Sequence, residues 1–165
     1  MAFAAGQKIT AAALNAVMFP PKAHAYQLVV QTLTTSVSAP ITMTGEFFDT
    51  AGNHSTAVNT SRFTCSVAGT YKCYGQVAYD VNIVGDRAAH FRKNNVAIDS
   101  LPYGGAPAMN GTGLLAGIAQ AGGSVALIVG DYVELFGTQN SGGNLNTFYS
   151  AGGTNSFWII ERIGD

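Results

Sequence analysis

Only 10% of the 165 residues are charged, and the formal net charge is −1, whereas about a quarter of the residues is usual in a soluble domain. The eight Lys and Arg residues are scattered, which argues against a nucleic-acid interface or a polybasic membrane surface. Hydrophobic residues make up 47% of the chain, which excludes a disordered protein. The surface therefore consists mainly of uncharged polar residues, or part of it is buried in an oligomer.

The first eight residues lack the basic and apolar regions of a secretory signal, so we expect a chain that is not exported by one. No apolar run reaches the roughly 20 residues of a membrane helix, and no membrane insertion is expected. Cys65 and Cys73 match neither a zinc spacing nor a redox C-x-x-C motif.

The N-terminal segment predicts one short helix. Thr10 is a suitable N-cap for residues 11–18, in which Leu14, Val17 and Met18 share one face, and two prolines follow at 20 and 21. A helix this short is marginal alone. It therefore packs either on its own domain or on a partner, and these residues leave both possibilities open.

From residue 23 onward the pattern predicts about ten short strands separated by turns with Gly-Gly pairs and Asn. The predicted strands are 24–33, 41–48, 62–67, 70–84, 88–98, 112–119, 124–129, 132–137, 145–150 and 156–163. This order predicts an all-β antiparallel sandwich. Residues 157–160 and, more weakly, 132–136 are apolar on both faces, so each strand needs a second cover. We expect that cover to be another subunit.

Four sequence segments resemble the C1q/TNF-like jelly rolls. FTCSVAGTYKC at 63–73 resembles their F-x-C-x-V-x-G-x-Y-x-F hairpin, and RKN at 92–94 resembles their R-K-N-G strand. GGSVALIVGDYVEL at 122–135 resembles their G-G-S-x-x-L-x-L-x-x-G-D-x-V-x-L element. SFWII at 156–160 occupies the position of the last strand in these domains. The departures are Cys73 in place of an aromatic residue and a closing strand without the family's Ser-Gly.

The resemblance implies a ten-stranded jelly roll that trimerises around a threefold axis through one sheet of each subunit. It places Tyr71 and Cys73 in the sandwich core, with Tyr74 and Ala78 on the opposite face. The candidate interface or core residues are Tyr74, Ala78, Phe136, Trp158 and Ile160. If the 63–73 hairpin centres on Gly69, Cys65 and Cys73 lie opposite each other and could form a disulfide. Two reduced core cysteines are the favoured alternative.

A second resemblance lies at the N-terminus. FAAGQKITAAALN at 3–15 resembles the F-x-A-G-x-x-L-T-A-x-x-L-N-A opening found on many tailed-bacteriophage virion proteins. It implies an anchor in residues 1–22 that contacts other virion proteins through Phe3, Leu14, Val17 and Met18. Residues 23–165 then form the jelly-roll domain.

The sequence offers little material for catalysis. The three histidines are far apart, and the chain has no H-E-x-x-H, G-x-S-x-G or P-loop motif. We therefore expect no enzyme, no cofactor and no metal site. Asp131 follows Gly130, where a turn role accounts for it better than cation binding does.

These observations predict a trimeric tail-tip or fibre knob of a bacteriophage virion, assembled in the bacterial cytoplasm and active in host attachment. Loops 102–112 and 138–146 mix aromatic and amide side chains and are candidates for contact with a host glycan or protein, although ordinary solvated loops look the same. The candidate contact residues are Tyr103, Asn110, Asn140, Asn144 and Asn146. One alternative is a capsid decoration protein or head fibre. The other is a free soluble C1q-like lectin or signalling ligand.

Overall fold

The computed structural model describes residues 8, 10, 11, 14, 18–98, 104–106, 117–152 and 155–165, and the thirteen elements of this part of the chain are all strands. They are β1 (Lys22–Tyr26), β2 (Thr32–Leu33), β3 (Ala39–Pro40), β4 (Gly45–Asp49), β5 (Arg62–Thr64), β6 (Gly69–Tyr79), β7 (Arg87–Lys93), β8 (Val96–Ala97), β9 (Gly104–Ala106), β10 (Gly117–Leu127), β11 (Tyr132–Gln139), β12 (Leu145–Asn146) and β13 (Phe157–Gly164).

Two antiparallel sheets form the sandwich, so the predicted all-β class is confirmed. The five-stranded sheet has the order β10-β6-β13-β1-β4. The six-stranded sheet has the order β3-β11-β7-β8, with β5 paired to β11 and β9 paired to β7. Strands β2 and β12 form a separate small pair.

The core fills the space between the sheets with alternate residues of each strand, as the two-residue period of strands requires. The six-stranded sheet contributes Phe63, Phe91 and Leu135, and Trp158 enters from β13 of the five-stranded sheet. The Trp158 ring meets Phe63 edge-on, with ring centroids 6.0 Å apart. These side chains are fully buried, so the core supplies most of the apolar burial that holds the sheets together.

The predicted 63–73 hairpin is wrong. Strand β5 pairs with β11 in the six-stranded sheet, while β6 lies between β10 and β13 in the other sheet. The chain thus crosses the sandwich between the two segments. Cys65 and Cys73 are both buried and free, which agrees with the reduced alternative.

The predicted turn at Gly122 is also wrong. Strand β10 is continuous and pairs with β6 from Gly117 to Leu127, so the expected strands 112–119 and 124–129 belong to one element where they are described. A Cβ atom at Gly122 would lie 3.0 Å from the carbonyl oxygen of Cys73 and 3.5 Å from the ring of Tyr74. Glycine here allows close packing against β6. Gly142 and Gly152, in contrast, have φ values of 86° and 84° and do lie in turns.

The predicted N-terminal helix falls mostly outside the described residues, and no helix is among the elements of the described part. Ala11, Leu14 and Met18 have helical backbone, and the amide of Leu14 donates to the carbonyl of Thr10 at 3.0 Å. Leu14 and Met18 are exposed. Phe3 and Val17 lie outside the described residues. Strand β1 begins at Lys22, so the division into 1–22 and 23–165 stays a prediction.

Candidate functional site

The outer face of the five-stranded sheet carries the most extensive cluster of exposed rings in the described part of the chain. We call it the aromatic face and define it by His24, Tyr26, Phe47, Phe48, Tyr74, Ile118, Phe157 and Ile159. A β-bulge between β1 and β4 creates part of it, because the register shifts between His24 and Ala25. The extra residue lets Phe47 and Phe48 both approach the ring of His24, with centroids 4.6 and 5.8 Å away.

Ring contacts connect the strands across this face. His24 also lies 5.4 Å from Phe157, Tyr26 lies 4.5 Å from Phe47, and Tyr74 lies 5.8 Å from Phe157, measured between ring centroids. Burial among these rings lowers the pKa of His24 below its ordinary value. Phe47 nevertheless leaves 68% of its surface in water. The rings are held by one another, and the described chain covers them only in part.

A groove of about 720 Å³ opens at one end of the aromatic face. Its walls include Tyr26, Phe47, Phe157 and Tyr149, with the amide of Gln76 among them. The Gln76 side chain donates to the carbonyl of Asn155 at 2.9 Å, which fixes its position. The groove is therefore lined by aromatic and aliphatic side chains, with the Gln76 amide held in place among them.

The predicted interface or core residues separate into three environments. Trp158 and Ile160 are fully buried in the core, so neither is on the sheet's outer surface. Tyr74 lies on the aromatic face and is 37% exposed. Ala78 is fully buried, and its backbone carbonyl accepts a hydrogen bond from the amide of Phe148. Of these four, only Tyr74 is open to a partner.

Phe136 is covered by its own subunit. It lies on the outer side of β11, where the guanidinium of Arg92 stands 4.3 Å from its ring centre and the ring of His90 lies 5.6 Å away. Burial, followed by the charge of Arg92, lowers the pKa of His90 to about 4. The second cover expected for β11 therefore comes from neighbouring side chains of the same sheet. For β13 the outer side, with Phe157 and Ile159, remains half-exposed.

Comparison with known proteins identifies the fold. No protein-family model and no curated protein matches the chain. Among solved structures, murine APRIL at pH 5.0 matches with a TM-score of 0.59 and 10% identity, covering 87% of this chain and 99% of that chain. Eiger TNF from S. frugiperda matches with a TM-score of 0.54 and 15% identity, covering 88% of this chain and 94% of that chain. The chain folds as a C1q/TNF-like jelly roll. Identities this low show the fold alone.

The sandwich has two ends, which we call proximal and distal. The proximal end is the one at which β1 begins with Lys22, which pairs with Glu161 near the end of β13. At the distal end β11 finishes with Gln139, which pairs with Arg87 at the start of β7. The candidate contact residues Asn140, Asn144 and Asn146 lie near the distal end, and all three are exposed. Tyr103 and Asn110 lie outside the described residues.

Two of these asparagines hold the distal loops in place. The side-chain oxygen of Asn140 accepts a hydrogen bond from the amide of Asp86, and the side-chain oxygen of Asn146 accepts one from the hydroxyl of Thr32 at 2.7 Å. Each also uses its backbone, since the Asn140 amide donates to Asp86 and the Asp80 amide donates to Asn146. These contacts give both residues a structural role.

The distal end also carries an exposed apolar loop that the sequence pattern does not reveal. Residues 80–86 follow β6, and Ile83 and Val84 in this loop are strongly exposed. The buried guanidinium of Arg87 donates to the carbonyls of Asn82, Val84 and Gly85 at 2.9, 2.8 and 3.0 Å. The sequence pattern predicts that residues 81–84 continue the strand that begins at 70, because it does not show that Arg87 folds back onto them.

Asp131 stabilises the turn between β10 and β11 at the proximal end of the jelly roll. Its carboxylate lies 2.7 Å from the ammonium of Lys93 and accepts hydrogen bonds from the Asn94 side chain at 2.7 Å and the Ile128 amide at 2.9 Å. Burial works to raise the pKa of Asp131, but these partners lower it to about 2. The turn role predicted for Asp131 accounts for all of these contacts. Among the described residues, no group of three or more His, Cys, Asp or Glu could hold a metal ion.

The three histidines lie in separate places. His24 is on the aromatic face, and His90 is on the outer side of the six-stranded sheet. His54 lies between the carboxylate of Glu46 and the carbonyl of Thr60, 3.0 Å from each, and beside the core Trp158.

No helix in the described part of the chain is long and apolar enough to span a membrane.

Proposed function

We propose that this jelly roll is the non-enzymatic, homotrimeric knob of a tailed-bacteriophage virion, placed at the tail tip or on a fibre and used in host attachment. The main observation in support of the proposed trimer is the exposed aromatic face. Exposed ring surface is unfavourable in water, and a contiguous apolar patch of this kind is typical of an interface. A second copy of the same chain is the partner.

The fold supports a threefold arrangement through this face. The sequence resemblance implies a trimer through one sheet of each subunit, and the aromatic face belongs to one of the two sheets. The outer side of the six-stranded sheet offers less apolar surface, because Phe136 there is already buried under Arg92 and His90. Contact through the five-stranded sheet also leaves the distal loops free.

The virion role rests on the N-terminal resemblance together with the direction of the chain. Residues 1–22 lead into β1 at the proximal end, so an anchor to other virion proteins lies on that side. Loops 80–86 and 138–146 are then turned away from the particle, toward a host glycan or protein. The amide side chains and exposed Ile83 and Val84 suit such a contact.

Three experiments test this function. Light scattering on the full chain should give the mass of a trimer, and a monomer would contradict the proposed assembly. Gold-labelled protein should appear at the tail of intact particles in electron micrographs, whereas label on the head alone would replace the tail role by a capsid decoration or head-fibre role. Deletion of residues 1–20 should leave a folded trimer that no longer joins the particle. If the shortened chain joins normally, the anchor is wrong.

A further inference from the structure

Three charged side chains form one row across the proximal part of the outer face. Strand pairing places Lys22 of β1 beside Glu161 of β13, and Glu161 beside Lys72 of β6. Two residues further along the strands the same face carries Ile159 and Tyr74. Because side chains two residues apart point to the same side of a strand, the charged row continues the aromatic face.

In the described part of the chain none of the three charges forms a close ion pair, although Glu161 lies between the two lysines in the strand register. Among the described residues, the ion pairs are His54–Glu46, Arg62–Glu134, Lys93–Asp131 and Arg162–Asp165. The Lys22 ammonium instead lies 5.4 Å from the ring centre of Phe48. Glu161 and Lys72 border an open depression of about 250 Å³ with Tyr74 and Ile159. Each therefore presents its charge to whatever covers the face.

We propose that Glu161 of one subunit pairs with Lys72 of the next subunit around the threefold axis. This inference rests on the proposed trimer. Covering the aromatic face would remove these charges from water. Their cross-strand neighbours do not form close ion pairs with them, so a closer partner across the interface would be favourable. The interface of a cyclic trimer is heterologous, so unlike groups of two copies meet there. A Lys and a Glu on the same row provide that complementarity.

The pairing determines how the subunits align. Ring contacts alone tolerate sliding, since apolar surfaces attract without strong direction. A charged pair has one favourable position, and displacement brings Lys against Lys or Glu against Glu. With only 10% of its residues charged, the chain has few other charges that could fix this alignment.

Charge reversal tests the pairing, with Lys72→Glu, Glu161→Lys and the double variant as probes. The two residues are also neighbours within one sheet, so the decisive sample is a mixture of the two single variants. The Lys72→Glu chain carries two negative charges at these positions and the Glu161→Lys chain carries two positive ones. A mixed trimer contains two chains of one kind and one of the other, so two of its three contacts join opposite charges. In such a trimer opposite charges at these positions meet only between subunits. The matched control is Asp80→Lys, which reverses the charge of an exposed residue at the distal end.

Each single variant should remain folded and should raise the protein concentration at which half of the trimer dissociates by about tenfold or more. The double variant should recover most of the loss, and the control should match the wild type. The mixture should recover a smaller part, because one of the three contacts in each mixed trimer still joins like charges. Sedimentation at several concentrations measures the dissociation of the wild type, the variants and the mixture. Singles that assemble like the wild type, or a mixture that does not recover, would overturn the pairing and leave the trimer intact. A monomeric wild type would overturn the trimer itself.

Discussion

The imidazole of His24 and the ring of Phe47 pack with their centroids 4.6 Å apart at the bulge between β1 and β4. The contact holds Phe47 in a fixed orientation while most of that ring remains in water. A rigid exposed aromatic side chain loses little conformational entropy when it is covered, which is a property of residues at the centre of interfaces.

The substitution Phe47→Asp should dissociate the trimer without unfolding the subunit. A charge in the middle of the aromatic face would be buried without a partner. The free energy of unfolding of the isolated subunit should fall by only about 1 kcal/mol, from lost ring contacts. Light scattering and thermal unfolding give the two quantities. Val58→Asp is the control, because Val58 is 67% exposed but lies in the connection between β4 and β5. An unchanged mass for Phe47→Asp, or dissociation of the control, would argue against this face.

The substitution Asp131→Asn should destabilise the protein at neutral pH by about 2 kcal/mol, the usual effect of losing hydrogen bonds to a charged group. The folded-state pKa of Asp131 is about 2, below its ordinary 3.8. Its contribution is therefore present above about pH 4 and is lost as the pH falls toward 2. Urea unfolding at pH 7 and pH 2.5, at one protein concentration, should show the gap to the wild type closing. A difference in the free energy of unfolding between wild type and Asp131→Asn that is equally large at both pH values would contradict this explanation. The control Asp80→Asn should differ from the wild type at neither pH.

Neither cysteine should react with a thiol reagent in the native protein at pH 8. Burial raises the pKa of the Cys73 thiol to about 12, which suppresses the reactive thiolate. Two thiols should be titrated after unfolding, and a reducing agent should leave the melting temperature unchanged. Finding no thiols after unfolding would mean that a disulfide exists.

Replacing each cysteine by serine should separate the two sites. The thiol of Cys65 already lies 3.1 Å from the carbonyl of Val67, so a hydroxyl there finds a partner. Cys73 is among apolar core residues, where an unpaired hydroxyl costs about 1–3 kcal/mol. Cys73→Ser should thus be the more destabilising change in chemical denaturation, and the reverse order would contradict this assignment of the two environments.

The substitution Arg87→Ala should loosen the distal loop selectively. The change removes the donors of the three carbonyls at Asn82, Val84 and Gly85. Hydrogen exchange should accelerate in residues 82–86 and remain slow in β6 and β13. Asp86→Ala, which changes an exposed side chain of the same loop, serves as control. Equal protection of the loop in both variants would show that Arg87 does not hold it.

Strand positions were largely predictable because the two-residue alternation is local. The crossing between β5 and β6 was not, since alternation in 62–67 and 70–84 is the same whether the segments pair or belong to opposite sheets. Gly122 was misread for a related reason. A glycine pair permits a turn, but it equally permits close contact between neighbouring strands, and only the position of Tyr74 distinguishes them.

The candidate site was predictable only in part. The family resemblance predicts only the side of the strand on which Tyr74 lies, and the structure has it there. The sequence does not predict that Phe47 and His24 meet, because their contact depends on a bulge with no clear sequence signal. The doubly apolar pattern correctly marked β13 as having an apolar outer side. It could not show that the outer side of β11 is covered by Arg92 and His90 of β7, because that cover comes from a different part of the chain.

The position of β1 also affects how the jelly roll responds to mechanical load. Strand β1 is bonded on both sides, to β13 and to β4, and it runs from the proximal toward the distal end. A pull between Lys22 and the distal loops acts along this strand, so its transverse hydrogen bonds are strained together in shear. A pull between Lys22 and Gly164, which lie at the same end, would separate β1 from β13 one bond at a time. Tension transmitted along the length of the sandwich is therefore the direction that the fold resists best.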